Sequence, residues 1–168
     1  MHWRDWEDRA RTALMAIIGS LFLPCVAAAD PFLGRLECVS LQVNVLESGE
    51  SFGITPDILR DAVRTGLKGL APTLKLEPSC PDQVVFKVFI QSVSVGEAHQ
   101  FFGHAALELR RKAIFRDTAL LASARAWDLE SYLHGPRDQA KAVVLKHLTR
   151  LLAQFTEDYR SANKREAS

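Results

Sequence analysis

From Leu36 onward the chain alternates: Val39, Leu41, Val43 and Val45 fall on one side, and Cys38, Ser40, Gln42 and Asn44 on the other. Period two marks a half-buried strand. Glu47-Ser48-Gly49-Glu50-Ser51 ends it with loop chemistry. The period then changes. Thr55-Pro56-Asp57 supplies a capping hydroxyl, a proline suited to the first helical turn and an acid for the positive end of the dipole. Leu59, Ala62, Val63, Leu67 and Leu70 follow as one apolar stripe, which Gly69 and Pro72 terminate.

Residues 73–77 predict a short strand, and Pro78-Ser79-Cys80-Pro81-Asp82 a turn. The run 84–95, VVFKVFIQSVSV, is the densest in β-branched and aromatic residues. Val84, Phe86, Val88 and Ile90 form its buried face, while Val85, Lys87, Phe89, Gln91 and Val93 mix on the other. After Gly96-Glu97-Ala98-His99, residues 101–115 alternate again, Phe101, Ala105, Leu107 and Leu109 against Phe102, His104, Glu108 and Arg110. Arg110-Arg111-Lys112 breaks the pattern, so either a bulge shifts the register or the strand projects past its neighbours into water. Residues 119–129 predict another strand, with Leu120, Ala122, Ala124 and Ala126 placed inward because small residues let a helix lie close. Leu121, Ser123, Arg125 and Trp127 then face out, although a tryptophan also suits a core and the assignment can be inverted. His134-Gly135-Pro136 opens a final helix with the stripe Val144, Leu148, Leu151, Leu152, Phe155 and Tyr159, ending near Asn163.

Consecutive strands joined by short turns imply antiparallel hairpins, and two amphipathic helices must bury their stripes against one sheet face. The order β-α-β-β-β-β-α therefore predicts an α+β fold. It is a two-layer sandwich, with a mostly antiparallel sheet of four to five strands and two helices packed on one face. Residues 30–163 form the single domain and 164–168 a disordered tail.

The stretch before this domain changes the compartment. Residues 13–26 are largely apolar, too few for the ~20 that span a bilayer as a helix. Arg9 and Arg11 precede them and Ala27-Ala28-Ala29 follows, which is the pattern of a secretory signal peptide cut after Ala29. A buried N-terminal helix is the alternative, favoured by Asp5, Glu7 and Asp8, and an uncleaved anchor is another. Removing 1–29 leaves 168 − 29, or 139, residues. Three basic and three acidic residues leave together, so the net charge stays +1 and offers no electrostatic footprint for nucleic acid.

Cys25 leaves with the leader, and Pro24 before it is poorly suited to a lipid-modified cysteine. Cys38 and Cys80 remain, an even count in an oxidising compartment, and a disulfide between them is the simplest outcome. Two separately buried thiols are the alternative. No C-x-x-C pair and no nearby histidine points to thiol chemistry. His99 and His104 are five apart in extended chain and point to opposite faces, while His134 and His147 begin and continue the last helix, so no metal set converges. No serine sits in a G-x-S-x-G elbow and no glycine loop cradles phosphate. Asp128/Glu130 and Glu157/Asp158 read as solvated element ends. These patterns predict no catalytic residues, no metal and no cofactor.

One surface stands out. With both helices on one face, the other carries Phe89, Phe102, Arg110, Arg125 and Trp127 among amides, and aromatics interleaved with arginine are enriched where proteins bind partners. An amphipathic sheet whose aromatics pack on one another needs no ligand and is the plainer reading. An open edge strand offers a second route, by strand addition.

The leader ending VAAAD, the strand LECVSLQVNV, the helix DILRDAVRTGL, the strands VVFKVFIQSV and the one ending RAW, and the helix LLAQFTEDYRSAN together resemble a broad group of short exported bacterial proteins of uncharacterised function. The resemblance implies a periplasmic or secreted α+β domain without known activity and transfers no site residues. The expectation is a non-enzymatic domain that binds an envelope protein or helps assembly through the open sheet face, with peripheral membrane contact left open. Trp127→Ala would then weaken capture without moving the thermal midpoint. A carrier with a small-ligand or lipid pocket between sheet and helices is the rival.

Overall fold

A computed structural model describes residues 33–95, 98–115 and 120–166. The expected leader, 1–29, and the last two residues of the expected tail lie outside the described residues. Strand β1 (Cys38–Glu47) leads through a 3-10 turn (Ser48–Phe52) into helix α1 (Pro56–Leu70). The two-residue β2 (Lys75–Leu76) follows, and then β3 (Gln83–Val95), β4 (Ala98–Phe115) and β5 (Leu120–Pro136). A further 3-10 turn (Arg137–Gln139) opens helix α2 (Ala140–Glu166), which runs three residues past the expected stop at Asn163.

The five strands make one mixed sheet in the order β2-β1-β3-β4-β5, and the helices complete the expected α+β sandwich. β3, β4 and β5 are the antiparallel hairpins that the short turns imply. β2 differs: it does not hairpin with β3 but pairs in parallel with the outer edge of β1, with Cys38 opposite Lys75. β1 also pairs in parallel with β3, Val43 opposite Phe86, because α1 and β2 carry the chain across before β3 begins. Cys38 and Cys80 are joined, with 6.0 Å between their Cα atoms, tying the start of β1 to the turn that launches β3.

Sequence pattern becomes packing on one face only. Val39 and Val43 of β1, Val84, Phe86, Val88 and Ile90 of β3, and Phe101, Ala105, Leu107 and Leu109 of β4 are buried there. Leu59, Val63 and Leu67 of α1 and Val144, Leu148, Leu151, Leu152 and Phe155 of α2 join them in one core. The Thr55 hydroxyl accepts from the Ile58 amide and caps α1, as its sequence implies. Arg160 of α2 donates to the Leu70 carbonyl at 2.6 Å and so closes the other end of α1. The helices lie close because Gly66 has no side chain: a Cβ there would meet Leu152 Cδ1 at 2.6 Å.

Two differences sit in β5. It continues to Pro136, seven residues past the end its pattern implies, because the first half of β4 needs a partner and Gln100–Ala106 take Pro136–Glu130. The hairpin of β4 and β5 also reaches past β3, which pairs with β4 only as far as Arg110. Both readings of Arg110-Arg111-Lys112 are met together, since the register also shifts between Leu109 and Arg110.

Candidate functional site: the open sheet face

Among the described residues, no helix packs on the second sheet face. Alternation fixes what points there: Gln42, Asn44 and Leu46 from β1, Lys87 and Phe89 from β3, and Phe102, His104, Glu108 and Arg110 from β4. Phe102 is 44% exposed and meets Phe89 with ring centroids 6.5 Å apart. His104 lies beside Tyr132 at 5.8 Å, and Tyr132 is 81% exposed. Leu46 is exposed in the same region, opposite Phe89 in the ladder.

The register shift decides where β5 contributes. Leu109 faces Trp127, yet the next residue of β4, Arg110, faces Arg125, so Ala126 is the extra residue of a β-bulge. That one residue puts Arg125 and Trp127 on opposite faces although they are two apart. Arg125 joins the open face as expected. Trp127 does not. It is 8% exposed on the helix side, its ring 5.2 Å from Phe155 at 71°, and its Nε1–H donates to Asp158 at 3.0 Å. The expectation that Trp127 belongs to the partner surface is thus corrected: it is a core residue.

Four of the five expected surface residues therefore share a face. Arg110 stands directly opposite Arg125, beside a carboxylate that the pattern passed over as one more polar position. Glu108 is only 5% exposed, on a face with no helix above it. Lys87 Nζ donates to its Oε1 at 2.5 Å, and Arg110 reaches its Oε2 at 3.0 Å through both Nε and Nη2. Burial pushes the Glu108 carboxyl up, but the hydrogen bonds and charges of Lys87 and Arg110 outweigh it and hold it below its ordinary range. Arg125 reaches Asp128 at 3.5 Å. Lys87, Glu108, Arg110, Ser123 and Arg125 enclose a shallow depression of about 290 Å³.

Other candidate chemistry stays dispersed. His104 Nε2 lies 3.2 Å from Glu130, and His147 Nδ1 lies 2.5 Å from the Ser131 hydroxyl on the helix side. Burial, followed by Arg150, Lys146 and His134, lowers the His147 pKa and favours the neutral ring. No group of three metal-ligating side chains occurs among the described residues. Neither carboxylate pair is an element end as expected: Asp128 and Glu130 lie on the open face within β5, held by Arg125 and by His104, and Asp158 lies within α2, held by Trp127 and by Gln154 at 3.0 Å. Between sheet and helices, where a carrier would hold its ligand, the space is filled by Phe86, Phe155, Leu107 and Leu148, each fully buried. A groove of about 220 Å³ lies at the margin, among Val39, Leu41, Arg60, Arg64 and Leu76. That is below the ~300 Å³ at which ligand pockets begin. A wider, open cleft of about 530 Å³ lies by the 3-10 turns, where the Arg137 guanidinium sits 5.4 Å above the Phe52 ring.

No protein-family model matches the sequence, and no curated protein matches it significantly. Similarity to solved structures is distant. A dodecameric PelC variant from Paraburkholderia phytofirmans aligns at 11% identity over 76% of this chain and 87% of that one, TM-score 0.42. The hypothetical protein CT253 from Chlamydia trachomatis aligns at 7% identity over 71% and 96%, TM-score 0.43. A minor lipoprotein from Acinetobacter baumannii aligns at 12% identity over 77% and 95%, TM-score 0.35.

Proposed function

We infer that this chain is an exported, non-enzymatic binding domain of the cell envelope, one of the short exported bacterial proteins its segments resemble, and that it holds a protein partner on the open sheet face. The observation that carries the reading is the exposure of Phe102, Tyr132 and Leu46 beside Lys87, Arg110 and Arg125 on a sheet face that no described helix covers. Apolar anchors next to arginine are what a partner desolvates with most gain. The Cys38–Cys80 bond supports an oxidising compartment. Among the described residues no helix is long and apolar enough to cross a membrane.

The test uses Phe102→Ser and Tyr132→Ser in the exported protein. Both side chains are exposed, so each substitution should shift stability by no more than ~0.5 kcal/mol. Partner recovery in the native host, read by cross-linking and mass spectrometry, should fall for both. Unchanged recovery with the double variant would remove the open face as the binding surface.

A further inference from the structure

The strand register places two arginines, Arg110 and Arg125, directly opposite one another on adjacent strands. Like charges in that position repel, and the fold reaches the arrangement only by inserting Ala126 as a bulge. In this sequence an unbroken ladder through Leu109–Trp127 would set Ala126 opposite Arg110 and turn Arg125 to the helix side, so it is the bulge that aims Arg125 at the depression. Beneath the pair, Glu108 is buried and ionised and binds Lys87 and Arg110 at 2.5 and 3.0 Å. It fixes where those two cations point. Lys87, Arg110 and Arg125 set against Glu108 and Asp128 leave one positive charge in excess. Glu108 occupies Nε and Nη2 of Arg110 and one of the three Lys87 donors, so the remaining donors flank the depression together with the Ser123 hydroxyl. The exposed Phe102, in contact with Phe89, lies further along the same face.

We propose that this depression receives a single carboxylate from an acidic, extended segment of the partner, bridging Arg110 and Arg125, while an apolar side chain of the same segment rests on Phe89 and Phe102. The assignment rests on the binding role of the open face and adds its chemistry. A carboxylate matches both the planar guanidinium donors and the single excess charge. It also converts the Arg110–Arg125 repulsion into two attractive contacts on binding.

The experiment displays a library of random peptides on phage, selects on the immobilised exported protein, and titrates the recovered peptides by fluorescence polarisation. Recovered peptides should carry Asp or Glu about four to six residues from an aromatic or aliphatic residue, the offset along β4 from Glu108, which holds the Arg110 guanidinium, to the Phe89–His104 rung and to Phe102. Replacing that acid by its amide should weaken binding about tenfold or more, as should Arg125→Glu. Lys68→Glu, on an exposed position of α1, should leave binding unchanged. Recovery of peptides without acidic enrichment, or of none, overturns the proposal. So does Arg125-dependent binding to phosphatidylglycerol vesicles with no acidic peptide recovered, which would give the depression to a lipid headgroup. If Phe102→Ser weakens the recovered peptides and Arg125→Glu does not, the carboxylate assignment falls while the open face remains the binding surface. If neither weakens them, both fall.

Discussion

Glu108 shows how a polar residue can be buried on a bare sheet face and still be stable. Two cations satisfy its oxygens, and each hydrogen bond to a charged group is worth ~1.5–3 kcal/mol. Because its folded pKa is depressed, its contribution is present above the unfolded carboxyl pKa and disappears as pH falls through the folded one. Glu108→Gln should therefore cost about 2 kcal/mol at neutral pH. The gap from wild type should close as the pH drops through and below the ordinary carboxylate range, which urea titrations at a series of pH values will read. Trp127 makes the opposite case, an amphipathic ring with both ends used. Its ring packs on Phe155 and its N–H is bound by Asp158, so Trp127→Ala should lose about 3–5 kcal/mol and lower the thermal midpoint by many degrees. A variant that melts like wild type would place this side chain outside the core.

Among the elements, β5 carries the most consequence. Its phase is reset at Ala126, and a reset of one residue moves every following side chain to the other face. Deleting Ala126 should leave a folded protein, since Leu109–Trp127 and Arg110–Arg125 can then pair in an uninterrupted ladder. Deleting Ser131 should abolish folding, because it turns Trp127 toward water. Circular dichroism and a thermal melt on the two deletions distinguish these outcomes. The same bulge explains what the sequence could and could not show. The strips on β1, β3, β4 and the helices are legible because period two and period 3.6 run through them unbroken, which is why Phe89, Phe102 and Arg110 fall on the expected face, while Arg125 does so because the alanines at 122 and 124 mark the opposite side of β5. Trp127 does not, because Arg125-Ala126-Trp127 alternates as well as any regular strand and nothing in it marks a supernumerary residue. Glu108 was passed over because its burial depends on Lys87 and Arg110, which reach it from the next strand and from two positions along its own. The parallel pairing of β2 was hidden too, since two residues carry no directional pattern.

The whole molecule is stitched together by contacts distant in sequence. The Tyr159 hydroxyl of α2 donates to the Leu36 carbonyl just before β1, and the Arg35 amide donates to Asn163 near the end of α2. The disulfide spans 42 residues and encloses β1, α1 and β2, for which chain entropy gives ~4 kcal/mol. Cys38→Ser with Cys80→Ser should reduce unfolding free energy by about that amount, measured in denaturant with the wild type oxidised as reference. An oxidised and a reduced protein of equal stability would contradict the role given to the bond. The covalent staple holds the β1–β3 side, while α2 covers β4 and β5, so the open face is presented on a sheet braced from both sides.

The claim on which the rest turns is that a partner sits on that face, and site-specific photo-cross-linking in the native host tests it most directly. A photoreactive side chain is placed at Phe102 or Tyr132, both exposed on the open face, or at Ala153, exposed on α2. The expected result is one and the same adduct from 102 and 132 and none from 153. An adduct only from 153, or none from either open-face position, would contradict it.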